Sequence, residues 1–250
     1  MRKAIHITCA GIQEAMKAIE PGMGEYDVEA IVEYFFKSKG AEDAGYPSIV
    51  GGGENSCILH YETNRKKLAG GDMIVCDVGA EYHGYSADIT RSFPANGNFS
   101  EEQTTIYNIV LEAQLAGIAK CKPGEYFRSP HNAAMEVIQK RLQELAIIKT
   151  PGEVAKYFFH GTSHYLGLDV HDEGTHGKLM PNSVITVEPG IYIPAGSDCD
   201  KKWWNIGIRI EDDVLITEME PDVLSSCVPK TIEEIKALMN QESLFNLLKK

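Results

Sequence analysis

His160-Gly161-Thr162-Ser163-His164-Tyr165-Leu166-Gly167-Leu168-Asp169-Val170-His171-Asp172 holds three of the chain's eight histidines. Imidazole is a common neutral nitrogen ligand for transition metals and a common proton carrier near neutral pH. The segment has no Lys or Arg, so a basic, solvated patch is a poor account of it. Two readings stay even on these residues alone. The histidines bind metal and move protons, or they satisfy backbone groups beside a Gly turn.

Carboxylates elsewhere break the tie. Met73-Ile74-Val75-Cys76-Asp77-Val78-Gly79 has the apolar pattern of a strand, with Asp77 near its end. Ser86-Ala87-Asp88-Ile89-Thr90-Arg91-Ser92-Phe93 is a second β-rich run. Tyr82-His83-Gly84-Tyr85 between them suits a hairpin turn. Such a hairpin brings Asp77 and Asp88 onto one face. The second half repeats the arrangement. Val184 to Ile193 reads as one apolar strand carrying Glu188, and Ile206 to Ile216 as another carrying Glu211. An acid inside an apolar strand is costly unless it is paired or binds metal. Taken singly, each acid reads as a buried ion pair or a turn residue. The nearby cations Arg91 and Arg209 cannot neutralise all four, which favours a metal.

The set resembles the pita-bread metallopeptidases, and most closely the aminopeptidase P (Xaa-Pro aminopeptidase) family. Asp77, Asp88, His164, Glu188 and Glu211 fall in the order of that family's metal ligands. The histidine segment is similar to the signature shared by aminopeptidase P and prolidase. Glu188-Pro189-Gly190-Ile191-Tyr192, Gly207-Ile208-Arg209-Ile210-Glu211-Asp212 and the segment Gly51 to Tyr61, which carries His60, match as well. The resemblance covers nearly the whole chain. It implies an α+β pita-bread fold, with a curved antiparallel sheet inside and helices outside.

The implied chemistry is that of a dinuclear-metal hydrolase. It removes the N-terminal residue from peptides with proline second, by attack of a metal-bridging hydroxide. By resemblance, Asp88 and Glu211 bridge two ions, Asp77 chelates one, and His164 with Glu188 holds the other. Oxygen-rich ligands with one histidine suit Mn, and less specifically Co, Fe or Zn. Glu188 also shuttles a proton in this reading. His171 and His60 flank the oxyanion. His160 shapes the pocket for the residue after the cut, Arg209 orients a carboxylate, and Tyr192 hydrogen-bonds a ligand from behind.

Composition fits a soluble enzyme. The 250 residues suit one large domain, with 43% hydrophobic content. A formal charge of −12 and the lack of a basic stripe argue against nucleic acid, and suit the ammonium of a peptide substrate. No long apolar run suggests a membrane span, and Met1 to Thr8 lacks a signal-peptide apolar region. The six cysteines show no paired spacing and read as reduced thiols in a cytoplasmic protein.

The chain also reads as a duplication. Ala4 to Lys39 and Glu101 to Leu145 are each predicted as two helices separated by Pro-Gly. Each pair precedes a histidine-bearing segment and then two strand acids, which implies a pseudo-twofold arrangement of halves. Thr231 is the expected cap of a C-terminal helix. Residues 1–250 are read as a single catalytic domain, without the extra N-terminal domain usual in the family. Assembly, including a homo-oligomer, is left open by that difference.

The other histidines carry plainer expectations. His83 is exposed in its turn, His6 and His131 belong to helices, and His176 lies in a loop near the site. Asp212 and Asp213 read as turn or strand-end acids, and Trp203-Trp204 as a loop packing on the surface. Four further alternatives stand beside aminopeptidase P. Prolidase shares the histidine signature, and methionine aminopeptidase shares the ligands but not the Leu-Gly-Leu-Asp-Val-His-Asp ending. A metal-free creatinase-type hydrolase or non-catalytic binding module would have lost ligands that this chain retains.

Overall fold

The computed structural model describes residues 1–248. In chain order the elements are helices α1 (Arg2–Ala18) and α2 (Glu25–Ser38), then strands β1 (Asp43–Ala44), β2 (Ile49–Gly52), β3 (Met73–Val78), β4 (Ala80–Tyr82), β5 (Tyr85–Ser86) and β6 (Ile89–Pro94). Helices α3 (Glu101–Ile118) and α4 (Ser129–Glu144) follow. After them come β7 (Val184–Val187), β8 (Gly190–Ile193), β9 (Ile206–Arg209), β10 (Asp212–Leu215) and β11 (Asp222–Val223), then α5 (Ile232–Met239) and α6 (Leu244–Leu248). The two predicted helix pairs are thus present, each ahead of its own strands. The fold is the α+β pita-bread arrangement that the sequence motifs implied.

Local chemistry explains the helix ends. Glu20-Pro21-Gly22 stops the first pair from fusing, with Gly22 at φ 95°. Ser100 and Gln103 form a reciprocal cap on α3, and the Thr231 hydroxyl accepts from the Glu234 N–H on α5. One face of α1, including Ile5, Ile12 and Met16, is fully buried. The Thr8 hydroxyl donates to Ala4 O and accepts from Ala80 N–H at 2.9 Å, fastening α1 to β4.

All strand pairs are antiparallel. One sheet has the order β2-β3-β6, a second β11-β10-β7, and a third β1-β4-β5, while β8 pairs with β9. Every residue of β3 and of β6 is buried; β3 is apolar but for Asp77, whereas β6 carries the buried polar run Thr90-Arg91-Ser92. The expected hairpin is present. Tyr82 pairs with Tyr85 across a two-residue turn in which His83 and Gly84 both have positive φ, the geometry of a type I′ turn. His83 is exposed, as expected, and lies 3.0 Å from Glu42.

Several expectations need correction. The strand predicted over Val184 to Ile193 is interrupted at Glu188-Pro189, and that over Ile206 to Ile216 at Ile210-Glu211. Pro189 has no N–H to donate to a ladder, which explains the first interruption. Cys9 and Cys227 form a disulfide, so the six cysteines are not all reduced. Their separation of 218 residues hid the pair from any local spacing rule. Cys57, Cys76, Cys121 and Cys199 are free thiols. The cysteine argument for a reducing compartment therefore no longer carries. Trp203 is buried under Lys202 rather than lying on the surface. No helix among the described residues is long and apolar enough to cross a membrane.

Candidate metal centre

The two interruptions define the site. Val187 pairs with Asp212, and Gly190 pairs with Arg209. The register is the same on both sides of the gap, so β7–β8 and β9–β10 form one ribbon across which Glu188 lies opposite Glu211. Local backbone bonds hold the gap. Ile210 N–H donates to Pro189 O, Glu188 N–H to Thr162 O and Glu211 N–H to Thr90 O. The last two tie the ribbon to the histidine segment and to β6.

The other two acids come from the first sheet. Asp77 lies in β3 and Asp88 just ahead of β6. The Tyr46 hydroxyl lies 2.6 Å from a carboxylate oxygen of each. A hydroxyl has one proton, so both contacts are satisfied together only when one acid carries a proton or a cation takes its place. Asp77 Oδ2 also accepts from the Arg209 guanidinium at 2.6 Å. Across the cleft His164 Nε2 lies 3.3 Å from Asp88 and 3.6 Å from Glu188. Asp88, His164 and Glu211 each present a ligand atom, all within 4.8 Å of one another.

These groups line one cavity of about 380 Å³. His60, His160, His171 and Arg209 line it too. His171 and His60 are exposed at its rim. The His171 ring meets that of His164 edge-on at 4.4 Å. Burial and then the nearby His164 and His60 lower the His171 pKa. His160 is deeper. Arg209 Nη1 donates to the Tyr192 hydroxyl at 2.8 Å, and that hydroxyl lies 3.0 Å from His160 Nε2. His160 Nδ1 faces Gly161 O at 2.6 Å and must donate to it, so Nε2 accepts from Tyr192. Burial, then Arg209, pushes the His160 pKa down to about 3, so the ring is neutral. Tyr192 therefore braces Arg209 and His160 rather than a carboxylate, which differs from the expected contact.

The acids are crowded beyond what the protein's own cations relieve. Burial, then Glu211, pushes Glu188 up to about 8. Burial and Asp77 raise Asp88 well above the usual carboxylate range, and burial with Asp88 does the same to Glu211. Burial acts to raise Asp77 as well, but Arg209 and Tyr46 outweigh it. Arg209 is the one Lys or Arg in the lining, and it donates to Asp77, Tyr192 and Thr90. Arg91 is not available, because it pairs with Asp212 at 2.7 Å. Three carboxylates without a cation of their own, a fourth shared with Arg209, and one imidazole are the donor set of a hard-to-borderline divalent cation, so the residues fit a metal.

Three residues escaped the sequence reading, and two acids were read without their burial. Tyr46 precedes a proline in a short loop and carries no chemical signature there. Thr90 donates to Glu211 Oε2 at 2.6 Å, and its place two residues past Asp88 was a usable signal. Glu25 reads as an ordinary acid in the first turn of a helix, yet it is fully buried. It accepts from Gly52 N–H, Asn55 Nδ2, Tyr61 OH and Lys66 N–H at 2.8–2.9 Å, clamping the segment that carries His60. Asp212 and Asp213, read as turn or strand-end acids, stand at the start of β10 and are fully buried there. Asp212 serves Arg91 and Lys230, and Asp213 accepts from Asp88 N–H.

Residues 1–218 match the model of metallopeptidase family M24. The chain belongs to that family. Among M24 proteins similar to it, the Xaa-Pro aminopeptidase of Escherichia coli strain K12 is 41% identical over 96% of this chain and 57% of its own length. The mitochondrial intermediate cleaving peptidase 55 of Arabidopsis thaliana is 38% identical over 96% of this chain and 49% of its own length. The chain thus spans about half of these relatives. The structure of Pseudomonas aeruginosa aminopeptidase PepP superposes with a TM-score of 0.93 at 42% identity, covering 96% of this chain and 57% of that one. A zinc-substituted E. coli aminopeptidase P in complex with product gives 0.92 at 41% identity, covering 95% and 57%. The resemblance to aminopeptidase P read from the motifs is borne out by these M24 relatives.

Proposed function

We propose that this chain is a metal-dependent aminopeptidase that removes the N-terminal residue from peptides with proline in the second position. One observation carries the reading. Asp88, His164 and Glu211 bring ligand atoms within 4.8 Å of one another in a cavity whose single Lys or Arg side chain is committed to Asp77. Asp77, Asp88, His164, Glu188 and Glu211 would hold two divalent ions, Mn by preference and Co, Fe or Zn less specifically. Bound there, such ions supply Lewis acidity and make water a nucleophile at neutral pH.

The chain's own groups do the remaining work. The carboxylate-rich cavity attracts the free α-amine of the substrate, which confines cutting to the first residue. His60 and His171, on the rim, offer ring N–H groups to the oxygen of the scissile carbonyl as charge builds on it. Glu188 takes the proton from the attacking water at a carboxylate oxygen and returns it to the leaving nitrogen. A proline after the cut has no N–H and a fixed φ, so its recognition depends on ring shape. His160, held neutral between Tyr192 and Gly161, is the wall suited to that ring.

A peptide panel with added Mn tests the reading. Xaa-Pro-peptides should release one residue, and N-acetylated versions should resist. Faster turnover of Met-Ala peptides would move the assignment to methionine aminopeptidase. Turnover of Xaa-Pro dipeptides alone would move it to prolidase.

A further inference from the structure

A second cavity, of about 430 Å³, adjoins the metal-site cavity. The two share His160, Gly161 and Ser163, so they are compartments of one groove. The far compartment is walled by Phe127, Arg128 and His131, which lie at and just before the start of α4, and by His176 from the opposite loop. Its aromatic wall is braced. Phe127 stacks on Tyr165 with centroids 5.1 Å apart and meets His176 edge-on at 5.0 Å. His131 Nδ1 lies 2.9 Å from the Thr162 hydroxyl.

The two compartments differ in charge. Glu62, Asp77, Asp88, Glu188 and Glu211 line the first, whereas no Asp or Glu lines the second. The second instead contains Arg128, in a chain with a formal charge of −12. Its guanidinium makes no hydrogen bond or ion pair among the described residues. It lies close enough to His131 to lower that ring's pKa, alongside the larger effect of burial. Arg209 is placed differently: it lines only the first compartment, is buried, and donates to Asp77, Tyr192 and Thr90. The groove thus has its acids, with the ions they would hold, at one end and an unpaired cation at the other. A short peptide has the matching polarity, with an ammonium at its start and a carboxylate further along.

We propose that the Arg128 compartment is a binding site for the part of the substrate beyond the proline, and that Arg128 recognises a carboxylate there. This deepens the aminopeptidase reading, because it takes the first compartment as the place of cutting. The carboxylate comes from one of two sources: the C-terminus of a tripeptide, or an acidic side chain in the third position of a longer peptide. Arg128 suits either, since its planar fork matches a carboxylate and holds its charge at any physiological pH.

The test uses titration calorimetry on the metal-loaded protein. Its probes are Pro-Ala, Pro-Ala-amide, Pro-Asp-amide and Pro-Asn-amide, which lack an Xaa-Pro bond and are not cut. Pro-Ala should bind more tightly than its amide if the C-terminus is the source. Pro-Asp-amide should bind more tightly than Pro-Asn-amide if the side chain is. The expected preference is roughly three- to tenfold, in keeping with a charge-assisted hydrogen bond at a partly exposed site. Arg128→Gln should erase it, Arg128→Glu should reverse it, and Arg128→Lys should keep part of it. Equal affinities within both pairs, or a preference that survives Arg128→Gln, would overturn the proposal. Binding is read without turnover, so the two ideas fail separately. An intact preference with no release from any Xaa-Pro-peptide sinks the aminopeptidase reading alone. Turnover with no preference sinks the Arg128 site alone.

Discussion

Glu188 and Glu211 lie opposite one another across a single antiparallel ribbon, between the Val187–Asp212 and Gly190–Arg209 pairs. Like charges placed this way in a sheet repel. Burial sharpens the conflict, since both carboxyls are held above their ordinary range. The ribbon is therefore built around a charge that the protein itself does not supply.

The metal-stripped protein should be less stable than the metal-loaded one, and Mn should raise its Tm in a concentration-dependent way. Glu188→Gln removes the cost of burying one of the opposing carboxyls, with little change in shape. It should raise the Tm of metal-stripped protein by about 2–4 °C, or roughly 1 kcal/mol, while abolishing peptide release. Scanning calorimetry of stripped and loaded samples checks both. A stripped variant that melts below stripped wild type, together with no Mn effect on wild type, would remove the electrostatic argument.

Ligand and donor are separable among the histidines. His164→Ala and Asp88→Ala should lose bound metal along with activity. His171→Ala should keep its metal and lower kcat by roughly 10²–10³, the usual effect of deleting one oxyanion donor. Elemental analysis beside steady-state kinetics decides this. Metal loss in the His171 variant would show that the two roles have been exchanged.

Glu25 should act on catalysis from a distance. Its two oxygens accept from four donors around the His60 segment. Glu25→Gln supplies one acceptor oxygen fewer and points an amide donor at those same groups. We expect kcat to fall about tenfold or more through misplacement of His60, with metal content unchanged and stability down by roughly 1–3 kcal/mol. The effect should be largely absent in a His60→Ala background. Full additivity of the two changes in a double-mutant cycle would count against the link.

The disulfide between Cys9 and Cys227 should be visible as a stability difference. Cys227→Ser, or reduction, should cost about 2–4 kcal/mol in denaturant unfolding, by releasing the unfolded chain from a long closed loop. An unchanged midpoint with and without reductant would mean that the two thiols do not pair in solution.

What the sequence disclosed follows from how local each signal is. Asp77, Asp88, Glu188 and Glu211 stand out because acids are rare inside apolar runs, and the His83-Gly84 turn because its dipeptide has few other uses. The helix pairs are equally local, being marked by Pro-Gly breaks, as is the C-terminal helix by its Thr231 cap. The interruptions at Glu188-Pro189 and Ile210-Glu211 were less visible, since the flanking residues are as apolar as those of an unbroken strand. Tyr46 and Glu25 were not legible at all. Their roles depend on partners 27–42 residues away in the chain that only the folded sheets bring near. The same holds for Arg91, whose pairing with Asp212 crosses 121 residues.

The Cys9–Cys227 link has a topological consequence as well. It joins α1 to the segment after β11 and closes the intervening chain into a covalent ring. A single protease cut in any loop of that ring, such as the exposed stretch around His176, opens the ring without releasing a fragment. The two pieces part only when a reductant follows the protease. Electrophoresis of nicked protein, with and without thiol, would thus report on the ring directly.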